Sequence, residues 1–379
     1  MNKSDKIDYL LSFVASLQPL VSIIQIFLND ALSYSEEYTS NLRILVTAMP
    51  IIIALPFIIN RLGKLALGVY AIAVLIVLLN MIIHPETQDL TFLSTTRFLF
   101  PVLIPIGLCI ASVKKIEIFE QTLYTFSLFT FFIGIIYFYF QIIGKLNIST
   151  YSMSFGYDLL IAAVVFYKDK RIISKLFLFL IIFMTLSIGS RGPLLAIISI
   201  FIISLLFTMK KIYIIAFLLL CIGLNIYLTQ ILLFLNDLTA SFGIESRTLY
   251  LLTNDLVHDS DRSNIYESAW KIINNNPLFG AGLFADRYFF KAMCHNIILE
   301  LLVDFGFLGG GAVIIAFVSK QYKIYNKLPL VYKKEYLIFL IAIMLPLMFS
   351  GSYLISYNLS FFIGFSFLLK HTKGQIKST

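Results

Sequence analysis

Polar residues divide this chain into apolar stretches about as long as a bilayer is thick, and that punctuation restricts its folds more than any single motif. A helix needs about 20 apolar residues to cross the hydrocarbon core. Twelve such stretches can be cut: residues 8–28, 42–60, 65–83, 92–113, 118–143, 151–167, 173–189, 192–209, 212–235, 295–318, 335–351 and 353–370. Lipid offers the backbone no hydrogen-bond partners, so each stretch must satisfy its own N–H and C=O groups as a helix. The expected fold is all-α, a polytopic integral membrane protein of about 12 transmembrane helices, with residues 1–379 as a single membrane domain. A water-soluble globule is excluded: 13% of residues are charged and 59% hydrophobic, against about 25% charged in soluble proteins.

The net charge of +8 does not point to nucleic acid, because no basic stripe with interleaved aromatics exists. The basic residues come in small groups between apolar runs, as topology signals do. With a cytoplasmic N-terminus, 20 of the 29 Lys and Arg fall on the inner side, among them Arg61 and Lys64, Lys114 and Lys115, Lys168 to Lys175, and Lys210 and Lys211. Both termini are then cytoplasmic. The first run follows Lys3 and Lys6 and lacks a small-residue cleavage site, so it reads as a retained span. Cys109, Cys221 and Cys294 lie far apart without metal-type spacing, which indicates neither a disulfide framework nor a metal cage.

One outer segment, residues 236–294, is long enough to carry structure. Ile265, Ala269, Ile272 and Ile273 recur there at helical spacing, with Asn264 and Glu267 as a capping pair and Asn276-Pro277 as the stop. This predicts an amphipathic helix over 264–275, lying on the outer membrane face. His258 stands among Asp255, Asp259 and Asp261, but the adjacent positions fit a solvated turn better than a metal site.

Arginine on the outer face needs a reason. Arg191, in Gly189-Ser190-Arg191-Gly192-Pro193, stands where one span ends and the next begins. A broken helix end exposes backbone N–H groups beside a fixed cation, a place that suits phosphate; the alternative is an arginine that snorkels to the interface. His295, at the mouth of the tenth span, can accept a proton near neutral pH, as hydroxyl activation requires, or simply bond a backbone carbonyl. Glu300 and Asp304 share a helical face within that span and need a partner such as a buried arginine, because unpaired charge there costs about 3 kcal/mol or more. Asp304 is on the face opposite His295, which argues against a dyad. Arg262, Tyr266 and Trp270 are four apart, and the two aromatics suit either sugar rings or lipid headgroups. Arg287 and Lys291 add charge just before His295. Asp158, a few residues into the sixth span, reads as a partner for an arginine or as a residue in a wetter zone. Gly280-Ala281-Gly282 lacks the strand, third glycine and acidic residue of a dinucleotide fingerprint and reads as a turn.

Three segments in order, Gly189-Ser190-Arg191-Gly192-Pro193-Leu194-Leu195, Trp270 through Asn276-Pro277-Leu278-Phe279-Gly280-Ala281-Gly282, and His295-Asn296 with Leu299-Glu300, Gly306 and Gly309, resemble the O-antigen polymerase and O-antigen ligase superfamily of bacterial membrane glycosyltransferases. The resemblance covers roughly residues 150 to 310. It implies a GT-C-type architecture in the bacterial inner membrane, a site facing the periplasm, and oligosaccharides on undecaprenyl pyrophosphate as substrates. It further implies a flippase and a chain-length regulator as partners. On that resemblance His295 is the general base, Arg191 with Arg262 or Arg287 binds pyrophosphate, Tyr266 and Trp270 meet sugar, and Asn296, Glu300 and Asp158 support. Guanidinium groups can neutralise a pyrophosphate leaving group without a metal, so no cofactor is expected. The Ser152 to Tyr157 stretch looks more like polysaccharide polymerases than ligases. A transporter or lipid-linked sugar flippase is the reading from a different class: Asn60-Arg61-Leu62-Gly63-Lys64 faintly resembles a major-facilitator loop. Transporters, however, place polar residues near the midplane, whereas this chain gathers them at one surface.

Overall fold

The computed structural model describes residues 2–146, 153–187, 191–208 and 262–376, with a few isolated positions between 230 and 241. Helices occupy nearly all of this. In chain order they are α1 (Lys3–Leu32), α2 (Glu36–Leu62), α3 (Lys64–Ile83), α4 (Gln88–Ser94), α5 (Ile104–Ser112), α6 (Ile116–Ile142), α7 (Met153–Lys168), α8 (Ile172–Ser187), α9 (Arg191–Thr208), α10 (Arg262–Asn275), α11 (Ala285–Phe290), α12 (Ile297–Lys327), α13 (Leu330–Phe349) and α14 (Tyr357–Ile376). Eleven of the twelve expected spans fall on helices, and the ninth, 212–235, lies almost wholly outside the described residues. Among the described residues, six helical stretches are long and apolar enough to cross a membrane: α1, α2, α3, Pro85–Ser112, α6 and α12. The protein is an all-α, multi-pass membrane protein.

The fourth span is not the single α-helix expected. It runs from a 3₁₀ turn (Pro85–Thr87) through α4 and a π-helical stretch (Thr95–Leu103) into α5, with Pro101 inside the π segment. Proline lacks the N–H that an α-ladder needs, and the wider π winding absorbs that break. Elsewhere local chemistry sets the ends. Asn2 Oδ1 accepts from the Asp5 N–H at 2.8 Å, Ser35 Oγ from Tyr38 at 3.3 Å, and Ser33 closes α1 in the left-handed conformation. The long α1 packs along α6, α2, α5 and α7. The α5–α14 crossing is close because both partners present glycine: a Cβ on Gly364 would stand 2.5 Å from the Gly107 carbonyl oxygen.

Contacts across the helices define two ends. At one, Asp8 accepts from Arg61 and from the backbone N–H groups of Lys114 and Lys115, both at 3.2 Å. Lys168 lies between Glu120 (2.7 Å) and Glu335 (3.0 Å), and Arg171 covers the Tyr124 ring at 4.4 Å. This is the basic end, and α1 begins there. The Asn60–Lys64 segment thus serves as a clamp: Arg61 also donates to the carbonyls of Ser112 (2.9 Å) and Ser4 (3.2 Å), tying α2 to α1 and α5. The far end of the bundle follows from helix direction. Tyr167 bonds Ser204 near the basic end, whereas Tyr157 crowds Gly192, so α7 and α9 run parallel, both from the far end towards the basic end. Because α13 starts beside Lys168, it finishes at the far end, where α9 begins and α12 enters.

Candidate functional site

The far end of the bundle is organised around a break in α12. Gly306 adopts φ 66°, ψ −172°, a region essentially restricted to glycine, and the break strips backbone groups of their helical partners. The segment 277–282 replaces them. Ala281 and Gly282 N–H donate to the carbonyls of Val303 (2.8 Å) and Asp304 (3.1 Å), while Phe307 and Leu308 N–H donate to Pro277 (2.7 Å) and Leu278 (3.1 Å). The approach is close enough that a Cβ on Gly280 would lie 2.5 Å from the Asp304 carbonyl, and one on Gly306 would strike Leu278. Asn80 fixes the end of this segment from the other side, accepting from the Leu283 N–H at 2.7 Å. The sequence turn Gly280-Ala281-Gly282 therefore serves to seal a helix break.

This seal positions α11 and the residues after it. Asp286 is fully buried and accepts from Arg287 Nη1 (2.9 Å) and from the Cys294 N–H (3.0 Å). Arg287 reaches on to Glu300 Oε1, with Nη1 and Nη2 both at 3.2 Å, and its guanidinium stacks on Phe284 at 4.9 Å. Burial works against the Arg287 charge, but Asp286 and then Glu300 outweigh it and hold its proton more tightly than usual. Glu300 also accepts from Ser352 Oγ and from the Tyr353 N–H at 3.2 Å, and Asp304 accepts from Tyr353 Oη at 2.6 Å. The arginine expected for the acidic pair thus serves Glu300, and Asp304 takes a tyrosine.

His295 sits just before α12 in the left-handed conformation (φ 52°), with Nδ1 3.2 Å from the Ser350 carbonyl oxygen. Asn296 is the N-cap of α12: its Oδ1 accepts from Ile298 (3.0 Å) and Leu299 (3.3 Å). Burial, followed by the nearby carboxylates, pushes the Cys294 thiol well above its ordinary range. Asp158 is buried at the same end of α7, accepts from Tyr357 Oη at 3.1 Å, and is within electrostatic reach of Arg43.

The amphipathic helix exists as α10, with two corrections. It already includes Arg262, so Asn264 and Glu267 lie inside it rather than at a cap. Its apolar face, Ala269, Ile272 and Ile273, packs on Leu299, Leu302 and Val303 of α12 rather than on lipid. Tyr266 leans on that cluster and Trp270 stays 44% exposed. Arg191 opens α9. His258 and its neighbouring aspartates lie outside the described residues, as do Cys221 and Ser152.

The fold and site together define a class: an all-α membrane protein with a buried cluster of ionisable side chains, Asp286, Arg287, Glu300 and Asp304, around a broken helix at one end of the bundle. Residues 176–314 are similar to the family described as O-Antigen ligase, a stretch that runs from α8 to the middle of α12 and includes all three of the motif segments. No curated protein and no solved structure matches the chain. Asp286, Ser350, Ser352, Tyr353 and Asn80 were missed from sequence. Only Asp286, beside Arg287, offered any signal.

Proposed function

We propose that this protein is a polysaccharide polymerase of the bacterial inner membrane, joining oligosaccharide repeat units carried on undecaprenyl pyrophosphate at the periplasmic face, with both termini cytoplasmic. The observation that carries this reading is the setting of His295. With Nδ1–H donating to the Ser350 carbonyl, Nε2 keeps its lone pair and serves as the general base. It takes the proton of the acceptor sugar hydroxyl as that oxygen attacks the anomeric carbon of the donor. The bond to pyrophosphate breaks on the opposite side, and configuration inverts.

The leaving diphosphate needs positive charge. Arg191 at the start of α9 and Arg262 at the start of α10 are assigned to it. Arg287 enters the proposal in a changed part: two carboxylates already hold it, so it fixes the 285–296 segment that carries His295. Tyr266 and Trp270 offer ring faces to sugar, Asn296 fixes the entry of α12, Glu300 holds Arg287, and Asp158 braces Tyr357. No metal or cofactor is required, and the GT-C architecture, a flippase that supplies the donor and a chain-length regulator belong to the same reading.

The description of the matched family favours a second reading, a ligase whose acceptor is lipid A core. One experiment separates them. Purified protein in nanodiscs receives lipid-linked repeat units alone, and a ladder of products supports the polymerase. Product only on addition of lipid A core supports the ligase, and no product under either condition from folded protein sinks both. His295→Ala should abolish product while leaving membrane insertion intact.

A further inference from the structure

At the basic end, away from His295, a cavity of 640 Å³ opens among α7, α8, α9 and α13. Its size is within the roughly 300–1,000 Å³ of small-molecule sites. Its wall includes Lys168, Lys170, Lys175, Lys334 and one carboxylate, Glu335. That carboxylate is taken: Glu335 lies 3.0 Å from Lys168, which Glu120 also holds at 2.7 Å. The neighbouring Asp169 is engaged by Arg171 (2.7 Å) and by Ser174 Oγ. Among the described residues, Lys170, Lys175 and Lys334 then have no carboxylate partner. Lys175 turns its ammonium to the Phe166 and Tyr167 carbonyls, and Lys334 lies 5.7 Å over the Tyr167 ring. Lys334 and Lys175 are close enough to repel each other, while Asp169 attracts Lys175 and Glu335 attracts Lys334 from beyond ion-pair distance.

Gathering like charges around a cavity at the end of a helix bundle is costly unless an anion shares the space. We propose that this cavity binds a phosphate-bearing anion, with Lys170, Lys175 and Lys334 as its cationic wall, the phosphate being either the headgroup of an acidic membrane lipid or free in solution. The site is separate from the sugar chemistry at the other end and does not depend on it.

The test uses the full chain in phosphatidylcholine nanodiscs, titrated with phosphatidylglycerol in one arm and inorganic phosphate in the other, with binding read by native mass spectrometry and by the shift in thermal midpoint. Lys170→Gln/Lys334→Gln should weaken binding about 25-fold, from a factor of about five per lysine. The pair Lys320→Gln/Lys323→Gln, exposed on α12, should bind like wild type. A response to phosphatidylglycerol alone assigns a lipid, and an equal response to inorganic phosphate assigns a soluble ligand. Lys334→Arg keeps the charge and should keep the affinity, which guards against loss through misfolding. Equal binding by wild type and the Lys170/Lys334 variant, or equal weakening in both pairs, would overturn the proposal.

Discussion

Glu300→Gln is the sharpest perturbation of the far-end site, because it preserves shape while removing one charge. Glu300 has 1% of its side chain exposed, and its two oxygens receive both terminal nitrogens of Arg287, the Ser352 hydroxyl and the Tyr353 N–H. Glutamine offers one oxygen where two accepted, so its amide group must face either the Arg287 guanidinium or the Tyr353 N–H, donor against donor. Removing one partner of a buried ion pair costs about 3–5 kcal/mol. Asp286 still holds Arg287 at 2.9 Å, so the low end applies, about 3 kcal/mol or a factor of roughly 100 in the unfolding equilibrium. Trp270 is the only tryptophan and lies on α10, whose apolar face packs on the same helix as Glu300. Its fluorescence during denaturation in detergent therefore reports on this region directly. Curves for variant and wild type that superimpose would show that the Arg287–Glu300 contact does not hold the site together.

Three further outcomes are expected. Gly306→Ala should destabilise by at least about 1–3 kcal/mol, since φ 66°, ψ −172° excludes a side chain, whereas Gly311→Ala, with open space around it, should be neutral or stabilising by up to about 1 kcal/mol; equal melting temperatures for the two would refute the sealed break. Arg191→Lys should lose elongation at unchanged expression, because a point charge does not reproduce the bidentate fork, and full chain extension by the lysine variant would remove that role. Cys294 should resist alkylation in folded protein at neutral pH, because burial keeps the thiol protonated; rapid labelling by maleimide of a variant whose other two cysteines are replaced by serine would contradict the buried geometry.

The helices were legible because lipid leaves the backbone few options, so that span length and polar punctuation alone delimit eleven described elements. The fourth span escaped because Pro101 is apolar by composition, and hydropathy does not register a missing N–H. The site was legible in part. His295, Arg287 and Glu300 stood out as ionisable groups at a membrane boundary, but Ser352 and Tyr353, 52 and 53 residues from Glu300, belong to types too common near helix ends to signal anything alone. The apolar stripe of α10 gave its period but not its partner, since lipid and a neighbouring helix accept the same face.

The glycines show most clearly where single-chain reading stops. In sequence Gly280 reads as an isolated turn and Gly306 as one residue of a continuous span, and each observed conformation would be unfavourable on its own, because a broken helix leaves carbonyls unpaired and an extended loop leaves N–H groups unpaired. Placed together they complete one ladder, with four hydrogen bonds of 2.7 to 3.1 Å joining 277–282 to 303–308. Neither half is stable without the other, so the position of Asp286 and Arg287, and through Cys294 of His295, depends on a match between segments that local sequence cannot reveal. A substitution that adds a Cβ at Gly280 should therefore disturb the surroundings of His295 without touching it, and the imidazole signals in a nuclear magnetic resonance spectrum of Gly280→Ala would shift accordingly. An unchanged His295 signal in that variant would mean that Asn296 and Ser350 hold the imidazole without help from the sealed break.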